Sequence, residues 1–329
     1  MRDVAILAYP GCMGTGLFAL ADVLMVANHL SAALSPGRPP PFDARIVGVE
    51  AGEVVLAGGA MMRVGRLSAT PDVLLVPGLE VSGAGQWDEK LAGLRREIAL
   101  IRRHAARGAE VATVCIGSFL LAEAGLLAGR RATTGWPFAL EFSKRYPDVL
   151  MEHDAVLVRD GQFSTTGAVT AAFDLATDVV RRTAGDRVAA AAAKFLLIGS
   201  PRSSQAPYVD SSLIPAHVPR FAADVNAWLR ERMGQAYDLD ALARTFNVSS
   251  RTLLRRYTKQ TGQSPLSWLK RARVAKARRL LEQSRMSLPQ VVEAVGYSDV
   301  ATFSRLFARE VGETPAQYRR RYSGRAVSG

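Results

Sequence analysis

Two sets of residues in this 329-residue chain have types and spacings that could do chemistry. The first is Cys115, which ends the apolar run 111–114 and precedes Ile116-Gly117-Ser118, where a helix is predicted to start. A side chain at a sharp strand-to-helix turn is held at the end of a sheet, beside the free N–H groups of the helix. That positive end lowers a thiol's pKa and favours the nucleophilic thiolate. An inert buried thiol, the usual state of a free cysteine, is the alternative at the same position. The second set is a pair of arginines in a repeat. The chain matches itself at an offset of 50 residues: Thr252 with Thr302, Arg255 with Arg305, Gly262 with Gly312 and Pro265 with Pro315. Leu253 likewise matches Phe303, Tyr257 matches Phe307 and Trp268 matches Tyr318. An arginine at one place in a duplicated unit suits guanine edges or phosphates.

Charge says which part of the chain meets an acidic partner. The net charge is +12, and residues 221–329 hold 20 Lys+Arg against 9 Asp+Glu, a net of +11, leaving +1 for 1–220. The last third is therefore the candidate for nucleic acid, and the rest needs another purpose. A composition of 48% hydrophobic and 22% charged residues excludes a disordered or collagen-like chain. Cys12 and Cys115 are too few and too far apart for a disulfide framework and fit a reducing cytosol. The apolar N-terminal run is too short for a signal peptide. The longest apolar stretch, 17–34, is broken by Asp22, Asn28 and His29 and is expected to be a buried helix rather than a membrane span. A cytoplasmic protein without membrane contact follows. Four scattered histidines lack metal-ligand spacing, so no metal and no cofactor is expected.

The elements that must position Cys115 follow from where apolar runs stop. Residues 4–8, ended by Tyr9-Pro10-Gly11, and 71–78, ended by Pro77-Gly78, read as buried strands, as do 45–49 and 111–114. Helices are predicted over 16–34, 89–106 and 168–182. This alternation predicts a parallel sheet with helices on both faces. Segments 155–159 and 162–165 flank Asp160-Gly161, a hairpin signal. Ligands of such sheets sit beyond the carboxyl ends of the strands. Segments 11–16, 77–83, 115–118 and 133–136 converge there, making Gly78, Cys115, Ile116, Gly117, Thr134 and Trp136 the candidate ligand-binding residues. An alanine-rich helix over 185–193 then gives way to the Gly-, Ser- and Pro-rich 199–207, Pro215 and Pro219. The expected organisation is a domain at 1–190, a linker at 191–220 and a domain at 221–329, with Tyr208 and Leu213-Ile214 alternatively ordered against one domain.

In the last domain, a short helix over 239–246, a turn at Asn247-Val248, an N-cap at Ser249 or Ser250 and a helix over 251–260 stop at Gly262 and Pro265. Helix 288–295, turn Gly296-Tyr297, N-cap Asp299 and helix 300–311 repeat the pattern and stop at Gly312 and Pro315. Two helices joined by about three or four residues form a helix-turn-helix. The connector 265–283 predicts a helix of about 28 Å at 1.5 Å per residue, close to the roughly 34 Å turn of B-DNA. Two recognition helices can thus enter successive major grooves on one face. Leu253 and Tyr257, like Phe303 and Phe307, are four apart and face the core. Ser250, Arg251, Thr252, Leu254, Arg255 and Arg256 remain as DNA-binding candidates on the first helix. Val300, Ala301, Thr302, Ser304, Arg305 and Arg309 are those on the second, with Val300 and Ala301 suited to thymine methyls. Lys270, Arg271, Arg273, Lys276, Arg278 and Arg279 coat the connector, some of them expected at phosphates. Arg319-Arg320-Arg321 reads as a solvated tail.

Both parts resemble known families. Val111-Ala112-Thr113-Val114-Cys115-Ile116-Gly117-Ser118 and the continuation through Thr133-Thr134 resemble the nucleophile-elbow segment of PfpI-like domains, of the class I glutamine-amidotransferase-like superfamily. They resemble more closely the version in GlxA-type transcription regulators, and 17–28, ending Ala27-Asn28, resembles its first helix. The likeness spans most of 1–185 and implies a flavodoxin-like α/β sandwich. Gly296-Tyr297-Ser298-Asp299, Phe303, Phe307 and Gly312-Glu313-Thr314-Pro315-Ala316-Gln317-Tyr318-Arg319 resemble the signature of AraC/XylS-type regulators, a likeness spanning 225–322. It implies an all-α domain with two helix-turn-helix units. Base-facing roles then fall to Arg251, Thr252, Leu254 and Arg255, and to Val300, Ala301 and Arg305. Leu254 stands where some relatives carry a polar base reader.

Enzymatic PfpI-like domains pair the cysteine with a histidine, commonly just before the tryptophan of Thr-Thr-x-Trp, and with an acidic residue. Here Gly135 precedes Trp136, and Gly16 falls at the acidic position. His104, at a helix end, and His153, before the hairpin, are expected at the surface. Without a base the cysteine lacks its relay, so no catalytic residue is assigned. The resemblance implies a cytoplasmic transcription regulator, more often an activator, controlled by a small-molecule effector such as an amine or amino-acid derivative. Its implied partners are promoter DNA, RNA polymerase and a second copy in a homodimer. The alternative is a cysteine-dependent enzyme or redox sensor, using Cys115, fused to a DNA-binding domain.

Overall fold

The apolar runs that stop at proline or glycine form the middle of a sheet. In a computed structural model, residues 1–81, 87–199, 202–209, 220–261 and 263–322 are described, and the chain divides into two units, Met1–Gln205 and Ala206–Gly329. Gly83, Ser200, Pro201, Leu213-Ile214, Pro215, Pro219 and Gly262, all used in the sequence reading, lie outside the described residues.

In the first unit, the strands are β1 (Arg2–Leu7), β2 (Phe42–Gly48), β3 (Gly52–Val55), β4 (Met61–Arg66), β5 (Val73–Val76), β6 (Glu110–Thr113), β7 (Arg131–Ala132), β8 (Leu150–Met151), β9 (Leu157–Asp160) and β10 (Phe163–Thr166). The helices are α1 (Gly14–Leu34), α2 (Trp87–Gly93), α3 (Arg95–Ala106), α4 (Ser118–Glu123), α5 (Ala139–Arg145), α6 (Ala171–Ala184) and α7 (Asp186–Phe195). Eight strands pair in the order β3-β4-β2-β1-β5-β6-β10-β9, parallel from β4 to β10 and antiparallel at both edges. The fold is the α/β sheet of the flavodoxin-like class. Val73–Val76 and Phe163–Thr166 are buried at every position, as strands covered on both faces must be. The helix α1 is long and apolar enough to cross a membrane. Its Leu17, Leu20, Val23, Leu24 and Ala27 are nevertheless packed in the core, and the Asn28 side chain exchanges two hydrogen bonds with the backbone of Phe42 at 2.8 and 3.0 Å.

Three local expectations need correction. The helix expected over 89–106 is two helices, broken at Leu94 just after Gly93. The strands β3 and β4, at one end of the sheet, escaped the sequence reading because their residues are largely exposed and form no apolar run. His104, expected at the surface, is fully buried, with Nδ1 3.2 Å from the Thr70 hydroxyl.

The second unit is helical: α8 (Arg220–Glu231), α9 (Leu239–Thr245), α10 (Ser250–Thr261), α11 (Pro265–Gln283), α12 (Leu288–Ala294), α13 (Val300–Val311) and α14 (Pro315–Tyr322). It has two small cores. One gathers Phe221, Val225, Leu229, Leu242, Leu253, Tyr257 and Leu269. The other gathers Val274, Ala277, Leu281, Val291, Val295, Phe303, Phe307 and Tyr318. The connector α11 supplies Leu269 to the first and Val274, Ala277 and Leu281 to the second, so one rigid helix ties two helix-turn-helix units. Arg319-Arg320-Arg321, read as a solvated tail, lies within α14, where Arg319 bonds the Met286 carbonyl at 2.6 Å and Arg321 pairs with Glu313 at 3.5 Å.

Candidate functional site

At the carboxyl end of β6 the chain turns sharply. Cys115 has φ +54°, a left-handed conformation that costs a non-glycine residue about 1–3 kcal/mol. A single 3-10 turn, Cys115–Gly117, leads into α4. The turn is fixed from several sides. The Cys115 carbonyl accepts from the hydroxyls of Ser118 and Thr134 at 3.0 and 3.2 Å, and those hydroxyls lie 2.8 Å apart. Gly117 is required because a Cβ there would meet the Pro77 carbonyl at 2.5 Å. The sheet thus brings together Gly78, Cys115, Ile116, Gly117 and Thr134, all buried, while Trp136 is half-buried. A Cβ on Gly78 would lie 3.2 Å from the Cys115 Cβ.

Of the two sequence readings for the thiol, the electrostatics favour the inert buried one. Burial pushes Cys115 up to about 11, and hydrogen bonds from the backbone of Ile116 and Gly135 only partly offset it. The helix end does not win because the sulfur is out of water, and desolvation penalises the thiolate more than nearby N–H groups favour it. Tyr9 is fully buried and donates to the Pro77 carbonyl at 2.6 Å. Burial also raises its hydroxyl and the Cys12 thiol. His153 is exposed, and the Nδ1 of buried His104 faces Thr70. Burial holds the His104 imidazole below its usual range, in the neutral form.

Gln205 was not found by sequence reading, since it falls in a Gly-, Ser- and Pro-rich stretch. It is buried beside this turn. Its carboxamide oxygen accepts from the N–H groups of Trp136 and Ala168, both at 3.2 Å. Its nitrogen faces the carbonyls of Ala155 and Thr134 and the Thr133 hydroxyl at 2.9, 3.0 and 3.3 Å.

In the helical unit, local capping sets the two recognition helices. The Ser249 hydroxyl accepts from the Thr252 N–H at 3.2 Å, and the Asp299 carboxylate accepts from the Thr302 N–H at 2.6 Å. Ser249 and Asp299 are 50 apart, as are Thr252 and Thr302. The preceding helices obey a different offset, 49: α9 starts at Leu239 after N-cap Asp238, and α12 at Leu288 after Ser287. The second turn is therefore one residue longer. The left-handed turn residues, Asn247 at φ +51° and Gly296 at φ +81°, also keep the 49 spacing. At Gly296 a Cβ would lie 2.5 Å from the Met233 carbonyl, so only glycine fits.

The faces of α10 and α13 that point away from the cores are partly exposed. Arg251, Arg255, Ala301, Thr302 and Arg305 are exposed, and Thr252, Leu254, Val300 and Ser304 are half-buried. Among the described residues, Arg251, Arg255 and Arg305 form no ion pair, and Arg305 donates to the Thr302 hydroxyl at 3.1 Å. Ser250, Arg256 and Arg309 also have local partners. Ser250 donates to Asp240 at 2.5 Å, Arg256 lies over the Phe221 ring at 4.0 Å, and Arg309 pairs with Glu310 at 3.1 Å. On the connector, Arg273 is buried and bonds the Met233 and Gln235 carbonyls at 2.9 and 2.5 Å. Lys276 bonds the Ala294 carbonyl at 2.9 Å, and Arg278 bonds the Tyr318 hydroxyl at 2.9 Å and the backbone of Pro207 and Val209. These three hold the unit together.

Comparison with known proteins agrees with both parts. The DJ-1/PfpI family matches residues 4–182, and a helix-turn-helix domain matches residues 242–321. The chain is 32% identical over 227 residues to the HTH-type transcriptional regulator GlxA of Rhizobium meliloti, covering 67% of this chain and 68% of that protein. It is 25% identical over 323 residues to the HTH-type transcriptional regulator CdhR of Pseudomonas aeruginosa, covering 97% of this chain and 91% of that protein. To the regulator GbdR of Pseudomonas aeruginosa it is 27% identical over 231 residues, 68% of this chain and 61% of that protein. A buried elbow cysteine on a DJ-1/PfpI sheet, followed by twin capped recognition helices, places the chain in the family of transcriptional regulators that join a DJ-1/PfpI domain to an AraC-type helix-turn-helix domain.

Proposed function

We propose that this DNA-binding regulator acts on promoter DNA through α10 and α13 together, under the control of a small molecule bound in its first unit. The observation that supports the first half is the matched placement of Arg255 and Arg305. Both are exposed and without an ion pair among the described residues, six residues beyond equivalent N-caps. Arg251, Thr252 and Leu254, with Val300, Ala301 and Ser304, complete the base-facing surface. Ser250, Arg256 and Arg309 flank it. Arginine reads guanine bidentately, and apolar tips suit thymine methyls. Lys270 and Arg279 are the connector cations assigned to phosphate.

The first unit is a sensor rather than an enzyme in this reading. A thiol raised to about 11 is protonated at neutral pH, and Gly135 leaves it without the histidine that a relay needs. Gly78, Cys115, Ile116, Gly117, Thr134 and Trp136 line the ligand site. A cytoplasmic homodimer that contacts RNA polymerase and activates transcription belongs to the same reading, on the strength of the family. Its test is Cys115→Ser in the full chain. Effector-dependent transcription is expected to persist, with effector affinity changed by the altered lining atom, whereas a redox sensor predicts loss of the response and a cysteine-dependent enzyme predicts loss of turnover.

A further inference from the structure

The carboxamide of Gln205 is a small polar group taken from the linker side of the chain and sunk among backbone groups that it does not neighbour in sequence. Its partners lie 37 to 72 residues away. Two N–H donors, from Trp136 and Ala168, converge on one point, and three acceptors, from Ala155, Thr134 and Thr133, converge on the next. This pattern selects one chemical class. A carboxylate would set an anionic oxygen against the carbonyls of Ala155 and Thr134. An ammonium would set N–H groups against those of Trp136 and Ala168. A carbonyl oxygen beside an NH2 satisfies both sides, and a primary amide is the simplest such group. The cradle is also shaped for it: a Cβ on Gly167 would overlap the Gln205 carboxamide, coming within 2.5 Å of its oxygen. Gly135 stands between this cradle and the Cys115 sulfur, with Thr134 and Trp136 on its two sides contributing a carbonyl and an N–H.

We propose that Gln205 occupies, in this state of the protein, the primary-amide subsite of the effector, and that the effector enters by displacing it. This rests on the sensor reading above and adds its ligand class and its switch. Gln205 is the last residue of the first unit, and Ala206 begins the DNA-binding unit. The segment is also attached by the Gln205 N–H on the Asp154 carbonyl at 2.6 Å, by a bridge of Ser204 with Ala155, by the Val156 N–H on the Ser203 carbonyl at 3.4 Å, by Arg202 on Asp174 and Thr170 and, beyond Gln205, by Arg278 on the backbone of Pro207 and Val209. Losing the buried carboxamide removes its deepest anchor. A ligand that binds the open cradle must offset the cost of expelling Gln205, so the side chain lowers apparent affinity as a tethered competitor.

The experiment uses the full chain and propionamide as the probe, with propionate, propylamine and N,N-dimethylpropionamide as controls. Binding is read by calorimetry, and release of 202–209 by hydrogen exchange. Propionamide alone is expected to bind. Gln205→Ala is expected to bind it at least tenfold more tightly than the wild type, with exchange at 202–209 raised in both propionamide-bound wild type and ligand-free variant. Gln205→Glu, close in volume, is expected to raise exchange in the same segment without ligand. Gly167→Ala, which fills the cradle, is expected to abolish propionamide binding. Equal affinity of wild type and Gln205→Ala, equal binding of the controls, or no change in exchange at 202–209 overturns the proposal. Operator binding measured on the same samples separates the two readings. Intact operator binding with no amide effect refutes the amide subsite alone, whereas no operator binding refutes the DNA-binding reading.

Discussion

Gly135 approaches Cys115 so closely that a Cβ built on it would lie 2.7 Å from the Cys115 sulfur. The missing histidine is therefore more than a lost side chain: the backbone has closed onto the thiol and left no room for one. Gly135→His is expected not to confer hydrolytic or transferase activity. It should instead lower Tm, because the elbow or the 133–136 segment must move. An active, fully stable Gly135→His variant would contradict this geometry.

The raised Cys115 thiol has a pH signature. The folded state keeps its proton to about 11, above the ordinary cysteine value near 8.5. Folding thus binds the proton more tightly than the unfolded chain does. The associated stability is complete below about pH 8.5 and is lost as pH rises toward 11. Alkylation of Cys115 by iodoacetamide in the native protein should be slow at neutral pH and rise only in that alkaline window. A fast reaction at pH 7, tracked by mass spectrometry of the 115 peptide, would restore the redox-sensor alternative.

His104 predicts the opposite limb. Its buried imidazole is held below the ordinary range, with burial the largest cause and Arg103 and Arg107 adding to it. The neutral form is what folds, so the unfolded chain takes the proton more readily. The stability it contributes is present above the ordinary value near 6.5 and is lost as pH falls through the lower folded value. Thermal melts between about pH 7 and pH 5 should show this loss, and His104→Asn should flatten that slope, whatever its effect on absolute Tm.

Much of this architecture was legible from punctuation. Apolar runs stopped at Pro77-Gly78 and Tyr9-Pro10-Gly11 became β5 and β1, and the offset-50 identities located both recognition helices. What was not legible depends on contacts distant in sequence. Gln205 sits in a stretch whose composition says linker, and its five partners are set by the fold alone. The sequence left Cys115 open between an activated thiolate and an inert buried thiol because it shows the helix N-terminus but not the depth of burial. The one-residue difference in turn length was hidden because the strongest identities all lie after the turn. The sequence did not say which of the six connector cations would meet phosphate, and the fold spends Arg273 on the Met233 and Gln235 carbonyls.

That division among the connector cations can be measured. Lys270→Ala and Arg279→Ala are each expected to reduce the slope of log K against log salt by about 1 while leaving Tm near the wild type. Arg273→Ala should lower Tm, since it leaves buried carbonyls without a donor at a cost of about 1–3 kcal/mol. Gly296→Ala should do likewise through its left-handed φ and the overlap with Met233. Circular-dichroism melts beside salt-titrated anisotropy distinguish the two classes.

The paired recognition helices are tested most directly by hydroxyl-radical footprinting on an operator selected from random duplexes with the full chain. Two protected tracks are expected, about one helical turn apart on one face of the DNA. Arg255→Ala should weaken one track and Arg305→Ala the other, each costing about 1–3 kcal/mol of affinity. A single track, or two tracks that neither substitution alters, would contradict the assignment of α10 and α13 as the two DNA-reading helices.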